Sequence, residues 1–342
     1  MSEYTYQITA DSGCDLSLEK CREIGVLPYK MPFTMDGEPM VDGMTEESFK
    51  EFYRLMLAGG VARTSQINPG EFLDFWRPLA EAGKDVLHIS LAAAISGSCD
   101  NARSAAQQLM EEFPGWTCRV VDSANASAGF GLIVLRAAAS RDKGVSLEDN
   151  ARDIESIHHE VNSIFTTNDL TYLYRGGRVS RTSAAFGTAL KIVPIMHLDY
   201  EGHLEVWQKV RGDKQCFKKM IQDVKELVVD AENQTLIISE ADAPEKAREF
   251  GEGYGDPSRY EKHHGGSPVA AGERAGSFCP ETGCQRNGYL RCLRGVPDAG
   301  KYPVGSGRRG GGRLHERNGT ASHGYGIFTP EDQNAGSWPY PG

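Results

Sequence analysis

Short apolar runs alternating with amphipathic helical segments constrain this chain more than any other feature. Asp85-Val-Leu-His-Ile-Ser90 is one such run, too short for a buried helix and flanked by helical spacing over residues 72–82 and 101–113. Residues 6–10, 118–122, 161–165, 192–198, 204–210 and 235–240 repeat the strand pattern. Helical patterns fall at 16–24, 46–57, 128–140, 147–159, 184–190, 215–229 and 243–250, while 26–35 reads as extended. Strands and helices alternating at these lengths predict parallel βαβ units and an α/β fold. Phe49, Phe52, Tyr53 and Met56 recur at helical spacing within 46–57, and the simplest reading of that stripe is core.

In an open α/β sheet, ligands lie at the carboxyl ends of the strands. Two turns there carry hydroxyls just before a helical segment: Arg63-Thr64-Ser65-Gln66-Ile67-Asn68-Pro69 and Ile95-Ser96-Gly97-Ser98. Hydroxyls and free backbone N–H groups at a helix start form an anion site that needs no fixed positive charge. The same residue types equally cap helices. Asp11 and Ser12 end the first strand, either facing a ligand crevice or closing an Asx-type turn, and Ser123 follows the 118–122 strand. Arg175-Gly-Gly-Arg178 and Arg211-Gly-Asp-Lys214 are basic turns, each readable as a phosphate-facing loop or as plain surface.

The length of 342 residues suits two domains, and the net charge of −10 argues against nucleic acid as a partner. Met1-Ser2-Glu3-Tyr4 lacks a basic n-region, and the longest apolar stretch, 126–139, carries Arg136 and is too short to span a bilayer. A cytoplasmic location without a transmembrane segment is expected. The eight cysteines form no CxxC, so no metal site and no cofactor are expected; Cys14, Cys21, Cys99, Cys118 and Cys216 read as buried thiols. A serine hydrolase using Ser96 or Ser98 lacks the GxSxG elbow, and GxxxxGK[ST] is absent as well.

Beyond Gly251 the character changes. About half of the 39 glycines fall in residues 252–342, apolar residues thin out, and neither strand nor helix periodicity runs through Gly305-Ser-Gly-Arg-Arg-Gly-Gly-Gly-Arg313. Without this slightly basic tail the body carries about −12 against −10 for the whole. The expected organisation is an N-terminal α/β domain over 1–157, a C-terminal α/β domain over 158–251 and a Gly/Arg-rich tail over 252–342.

The chain resembles the DegV family of bacterial lipid-binding proteins, which includes the fatty-acid-binding subunits of fatty acid kinase. The residues carrying the resemblance are Asp11-Ser12, Thr64-Ser65-Gln66, Ser96-Gly97-Ser98, Val121-Asp122-Ser123, Arg175-Gly-Gly-Arg178-Val179 and Lys209-Val-Arg-Gly212, in order across the first 250 or so residues. The resemblance implies two α/β domains with one long-chain fatty acid held between them. It implies a carboxylate bound by Thr64 or Ser65 and by Ser96, with Ser98 beside them, and Asp11, Ser12 and Ser123 lining the site. A separate ATP-binding kinase subunit would phosphorylate the carboxylate, faced by Arg175, Arg178 and Arg211. The protein itself would be a non-catalytic binding subunit. The family's C-terminal Gly-Thr-His-Thr-Gly-Pro-Gly-like motif is missing; Gly319-Thr-Ala-Ser-His323-Gly is only an echo. The expectation is a reading frame lost near Gly251–Tyr254, giving a product that folds poorly or binds lipid weakly, with a divergent disordered extension as the alternative. Re-reading the encoding DNA for a single-base shift that restores an apolar, His-bearing end would test it.

Overall fold

From β1 (Gln7–Asp11) the chain turns through a single 3-10 turn, Ser12–Cys14, into α1 (Leu18–Glu23) and β2 (Val26–Tyr29). It then leaves the main sheet for β3 (Pro32–Met35), β4 (Glu38–Val41), α2 (Glu46–Leu57) and β5 (Ala62–Thr64). It returns with α3 (Pro69–Glu81), β6 (Val86–Ser90), α4 (Ser98–Glu112), β7 (Cys118–Asp122), α5 (Ser127–Asp142) and α6 (Leu147–Ile157). This computed structural model describes residues 4–167, 170–179, 192–228, 235–241 and 243–254, and strand backbone at 260–264, 267–268 and 289–293.

The first sheet is wholly parallel, in the order β2-β1-β6-β7. Every residue of β6 is buried, as expected for an inner strand covered on both faces. Phe72, Trp76, Ala102 and Leu109 of α3 and α4 cover one face, and Phe130, Ile133 and Ile154 of α5 and α6 cover the other. Local chemistry sets the helix starts. Asn68 caps α3 in a reciprocal box with Glu71, and Pro69 sits in the first turn, where its missing N–H costs nothing. Thr45 and Ser48 form the same kind of box at α2.

The chain continues through β8 (Ser163–Thr167), α7 (Thr171–Arg175), β9 (Ile192–Leu198), β10 (Leu204–Arg211), α8 (Asp213–Leu227), β11 (Leu236–Ala241) and α9 (Pro244–Tyr254). The strands β12 (Tyr260–His264), β13 (Ser267–Pro268) and β14 (Tyr289–Leu293) follow, within the stretch expected to lack a packed fold. The second sheet runs β10-β9-β8-β14-β11-β12-β13, and only β11 and β12 are parallel. Phe217, Met220 and Val224 of α8 and Phe250 of α9 pack with Ile164, Ile195 and Ile238 of that sheet. Most of helix α5 is apolar because most of it is covered: Ile237 of β11 belongs to the same core as Phe130 and Ile133.

Three expectations change. Parallel pairing holds throughout the first sheet but in the second only for β11 and β12; β9 and β10 are joined by the tight turn 199–203, which permits an antiparallel pair and no crossover. The extended stretch 26–35 is two strands in two sheets, since β3 pairs with β4 and β5 and not with β1. The α2 stripe is not core: no residue of α2 is buried. Helical periodicity reports that one face avoids water, and here that face borders cavities. The helix expected over 184–190 lies outside the described residues. The five cysteines Cys14, Cys21, Cys99, Cys118 and Cys216 are buried and free.

Candidate functional site

In the first sheet β2 lies on one side of β1 and β6 on the other, so the crevice above β1 and β6 is the topological switch point. Asp11 spans it. One carboxylate oxygen accepts from the Gly13 N–H at 3.1 Å and the other from the Leu91 N–H at 2.9 Å, fastening the loop after β1 to the loop after β6. Burial pushes its pKa up to about 6, against those two favourable N–H donors. Asp11 is therefore a brace beneath the site. Ser12 is buried beside it, and its hydroxyl accepts from Met31 N–H at 3.1 Å.

The two hydroxyl-bearing turns meet. Ile67 N–H donates to Ser98 Oγ at 3.0 Å, Asn101 Nδ2 donates to Ile67 O at 2.8 Å, and Gln66 lies against Gly97. Ser98 is fully buried as the first residue of α4, and its Oγ also accepts from the Ser96 hydroxyl at 3.0 Å. Ser98 thus joins the two turns and Ser96 remains partly open. Thr64 is exposed on β5, opposite Phe33 of β3. Ser65 is exposed next to it, with its N–H donating to Pro32 O. Ser123 is fully buried in a closed turn, donating to Asn125 O and accepting from Asn125 N–H.

Two cavities converge on Thr64. The inner one, of about 380 Å³, is lined by the apolar Met31, Phe33, Phe49, Phe52, Tyr53 and Leu173 and by polar groups, among them Ser12, Asp15, Asp42, Ser48, Ser127, Ser239 and Glu240. The outer one, of about 830 Å³, has Met56, Leu57, Val61 and Tyr172 as its apolar surface and Arg63, Arg175 and Arg178 as its charged groups. Phe52, Tyr53, Ala62 and Thr64 line both. The Phe52 ring meets Phe33 and Tyr53 edge to face at 5.5 and 5.4 Å, so this partition is an aromatic cluster.

Arg178 Nε donates to Ile95 O at 3.3 Å, one residue before Ser96, which brings the basic turn beside the hydroxyl turns. Arg175 is exposed at the end of α7. Arg211 is exposed at the end of β10 and lines neither cavity; Ser65, Ser96, Ser98, Ser123 and Asp11 line neither either. Sequence reasoning did not single out Arg63, Phe33, Leu173 or the Ser239-Glu240 pair. For Arg63 a signal was available, since it precedes Thr64; the others come together only through folding.

Below neutrality the buried groups near this crevice oppose one another. His88 of β6 is fully buried; its Nδ1 meets Thr9 Oγ1 at 3.0 Å, while Nε2 lies unpartnered near the Phe72 and Trp76 rings. Burial pushes its pKa down to about 3, so its contribution is present above pH 6.5 and is lost as pH falls. His159, lowered to about 4 by burial and by neighbouring His158, acts in the same direction. Asp11, raised to about 6, contributes most below pH 4 and its contribution is lost as pH rises through 6, so acidification favours it. From pH 7 to 5 the His88 loss is about 2 kcal/mol and the Asp11 gain about 1 kcal/mol. A net fall in melting temperature is expected over that interval, with a flatter slope in His88→Leu. Unchanged slopes by scanning calorimetry would refute the assignment.

The DegV family model, whose description reads uncharacterised protein, matches residues 5–258. The chain belongs to the DegV family. A DegV domain-containing protein of Lactococcus lactis, YteA, is 32% identical over 248 residues, 72% of this chain and 85% of its own. A Streptococcus pyogenes DegV domain-containing protein is 30% identical over 72% of this chain and 86% of its own. Among solved structures, a fatty acid binding DegV family protein from Streptococcus agalactiae superposes with a TM-score of 0.69 at 24% identity, covering 86% of this chain and 99% of that one. The structure of a Thermus thermophilus DegV family protein, described as showing fatty acid binding, gives 0.69 at 23% identity, covering 85% of this chain and all of that one. These likenesses establish a DegV fold of mixed parallel and antiparallel sheets. Among the described residues no helix is long and apolar enough to cross a membrane.

Proposed function

We propose that this DegV protein binds one long-chain fatty acid and presents its carboxylate to a separate ATP-binding kinase subunit, which phosphorylates it to an acyl phosphate. One observation carries the reading: the aromatic stripe of α2 borders a largely apolar cavity that shares Thr64 with a second one holding three arginines. The acyl chain lies in the inner cavity and the carboxylate at Thr64, toward Ser65 and Ser96. Each buried CH₂ contributes about 0.8 kcal/mol, so a long chain outweighs the cost of immobilising the ligand. A carboxylate that must attack a phosphoryl group keeps more of its charge on hydroxyl donors than in a bidentate arginine clamp. Arg175 and Arg178 then face the incoming phosphate, and Arg211 the partner surface. The binding role is non-catalytic, needs no cofactor and suits a cytoplasmic protein. Hydrolysis by Ser96 is disfavoured, because its hydroxyl donates to Ser98 and not to a base.

A division near residue 157 belongs to the same reading, with the second domain carried past 251, because β12 and β14 pair with β11 and β8. That the family match stops at residue 258 supports a frame lost close to Gly251–Tyr254.

Native mass spectrometry of the purified chain is expected to show one co-purifying long-chain acid. Thr64→Val should weaken rebinding by roughly tenfold, the worth of one hydrogen bond to a charged group. With a DegV-type kinase subunit and ATP added, hydroxylamine should trap the acyl phosphate as a hydroxamate. A folded protein that takes up no acid would end the lipid reading, and bound acid that is never phosphorylated would end the presentation reading.

A further inference from the structure

The inner cavity is not uniformly apolar, and its polar wall has no use for a plain hydrocarbon chain. Three elements build that wall: the loop after β1, the start of α5 and strand β11. The Ser127 hydroxyl donates to the Asp15 carboxylate, and the Glu240 carboxylate accepts from Ala243 N–H. Asp15 and Ser127 both hold left-handed backbone, with φ of 53° and 56°, a conformation that costs energy in non-glycine residues and gathers at functional sites. Ser239 is 4% exposed and borders the cavity, and among the described residues its hydroxyl has no hydrogen-bond partner. Ser12, 3% exposed, accepts from Met31 N–H, and no acceptor for its own proton is found among the described residues.

Phe33, Phe49, Phe52 and Tyr53 line the same cavity, with Asp42 and Ser48. A chain lying in it meets aromatic rings and also hydroxyls and carboxylates. Methylene groups laid against Ser239 and Ser12 would take those hydroxyls out of water with nothing in return, which costs on any transfer scale. A fatty acid's own carboxylate is no remedy, because Asp15 and Glu240 would repel it. A neutral group that both donates and accepts fits: it donates to a carboxylate or serine oxygen and accepts from Ser239 or Ser12.

The geometry points to a hydroxylated long-chain fatty acid as the ligand class this cavity selects, its carboxylate at Thr64 and its chain hydroxyl on the Ser12–Ser239 wall. This rests on the fatty-acid reading above and narrows it. A site built to hydrogen-bond a substrate hydroxyl discriminates strongly against the analogue lacking it, because the site's polar groups are then left unpaired.

The test uses the full chain, stripped of lipid, and octadecanoic acid against a positional series of monohydroxyoctadecanoic acids that includes the 12-hydroxy isomer. Competition for a fluorescent fatty acid is the readout. At least one hydroxy isomer is expected to bind about tenfold or more tighter than octadecanoic acid, about the worth of one satisfied buried hydrogen bond. In Ser239→Ala, shown to be folded by circular dichroism, that ratio is expected to fall toward one. Octadecanoic acid binding as tightly as every hydroxy isomer in the wild-type chain would overturn this inference and leave the fatty-acid reading standing. Binding of neither class would overturn both. The wild-type series decides the matter even if the variant fails to fold.

Discussion

Asp11→Ala is expected to cost about 3 kcal/mol of stability, because it removes the buried acceptor that two half-buried N–H groups share and the tie between their loops. The carboxylate is fully buried and accepts from Gly13 and Leu91 at 3.1 and 2.9 Å. Each orphaned donor costs about 1–3 kcal/mol, and the lost side chain leaves a small void as well. For a chain of this size that lowers the melting temperature by roughly 10 °C. The carboxylate's own burial works against it at neutral pH, which makes Asp11 costly to keep as well as costly to lose. The loops it ties carry Ser12 on one side and lead to Ser96 on the other, so ligand affinity should fall along with stability. A variant that melts like the wild type would show that Asp11 is not the brace.

Asn125→Ala should lose about 2–4 kcal/mol, by freeing several partners at once from the junction between the two sheets. Its Nδ2 donates to Ser123 O and His158 O at 3.1 and 3.0 Å, and its Oδ1 accepts from Ser163 Oγ at 2.8 Å. One 2%-exposed side chain thereby joins the loop after β7, the link that follows α6 and the first residue of β8. The β9–β10 turn packs into the same place. Gly202 there has φ of +89°, and a Cβ on it would lie 2.9 Å from Ala92 Cβ and 3.0 Å from Ala124 O. Urea unfolding is the measurement. Loss of a single transition, with the second-sheet residue Trp207 reporting before the first-sheet Trp76, is the expected sign of uncoupling. One wild-type-like transition with an unshifted midpoint would count against the junction role.

Much of the architecture was legible from periodicity. The β6 run is mostly apolar because both of its faces are covered, and the capping residues at Thr45 and Asn68 stand in the sequence as written. The 63–69 and 95–98 turns, which the family resemblance put at one site, do meet, although they leave strands of two different sheets, β5 and β6. The α2 stripe was misread for a general reason: spacing shows that Phe49, Phe52 and Tyr53 avoid water, and says nothing about whether protein or ligand covers them. Ser98 and Thr64 look alike in sequence, yet one is buried in a hydrogen-bonded join and the other exposed at a cavity mouth.

By itself, then, the sequence determined the α/β class, most of the strands and helices over residues 6–250, the placement of hydroxyls at strand ends and the DegV membership. These are local or linear properties, set by backbone preference and by the period of apolar residues. Only the tertiary structure decided that Phe33, Phe52, Thr64, Leu173 and Ser239 line one cavity, and that aromatic and polar groups share its lining. Those residues lie on elements far apart in the chain. Their meeting depends on which sheet each strand joins and on what α2 leaves uncovered, which no local pattern encodes.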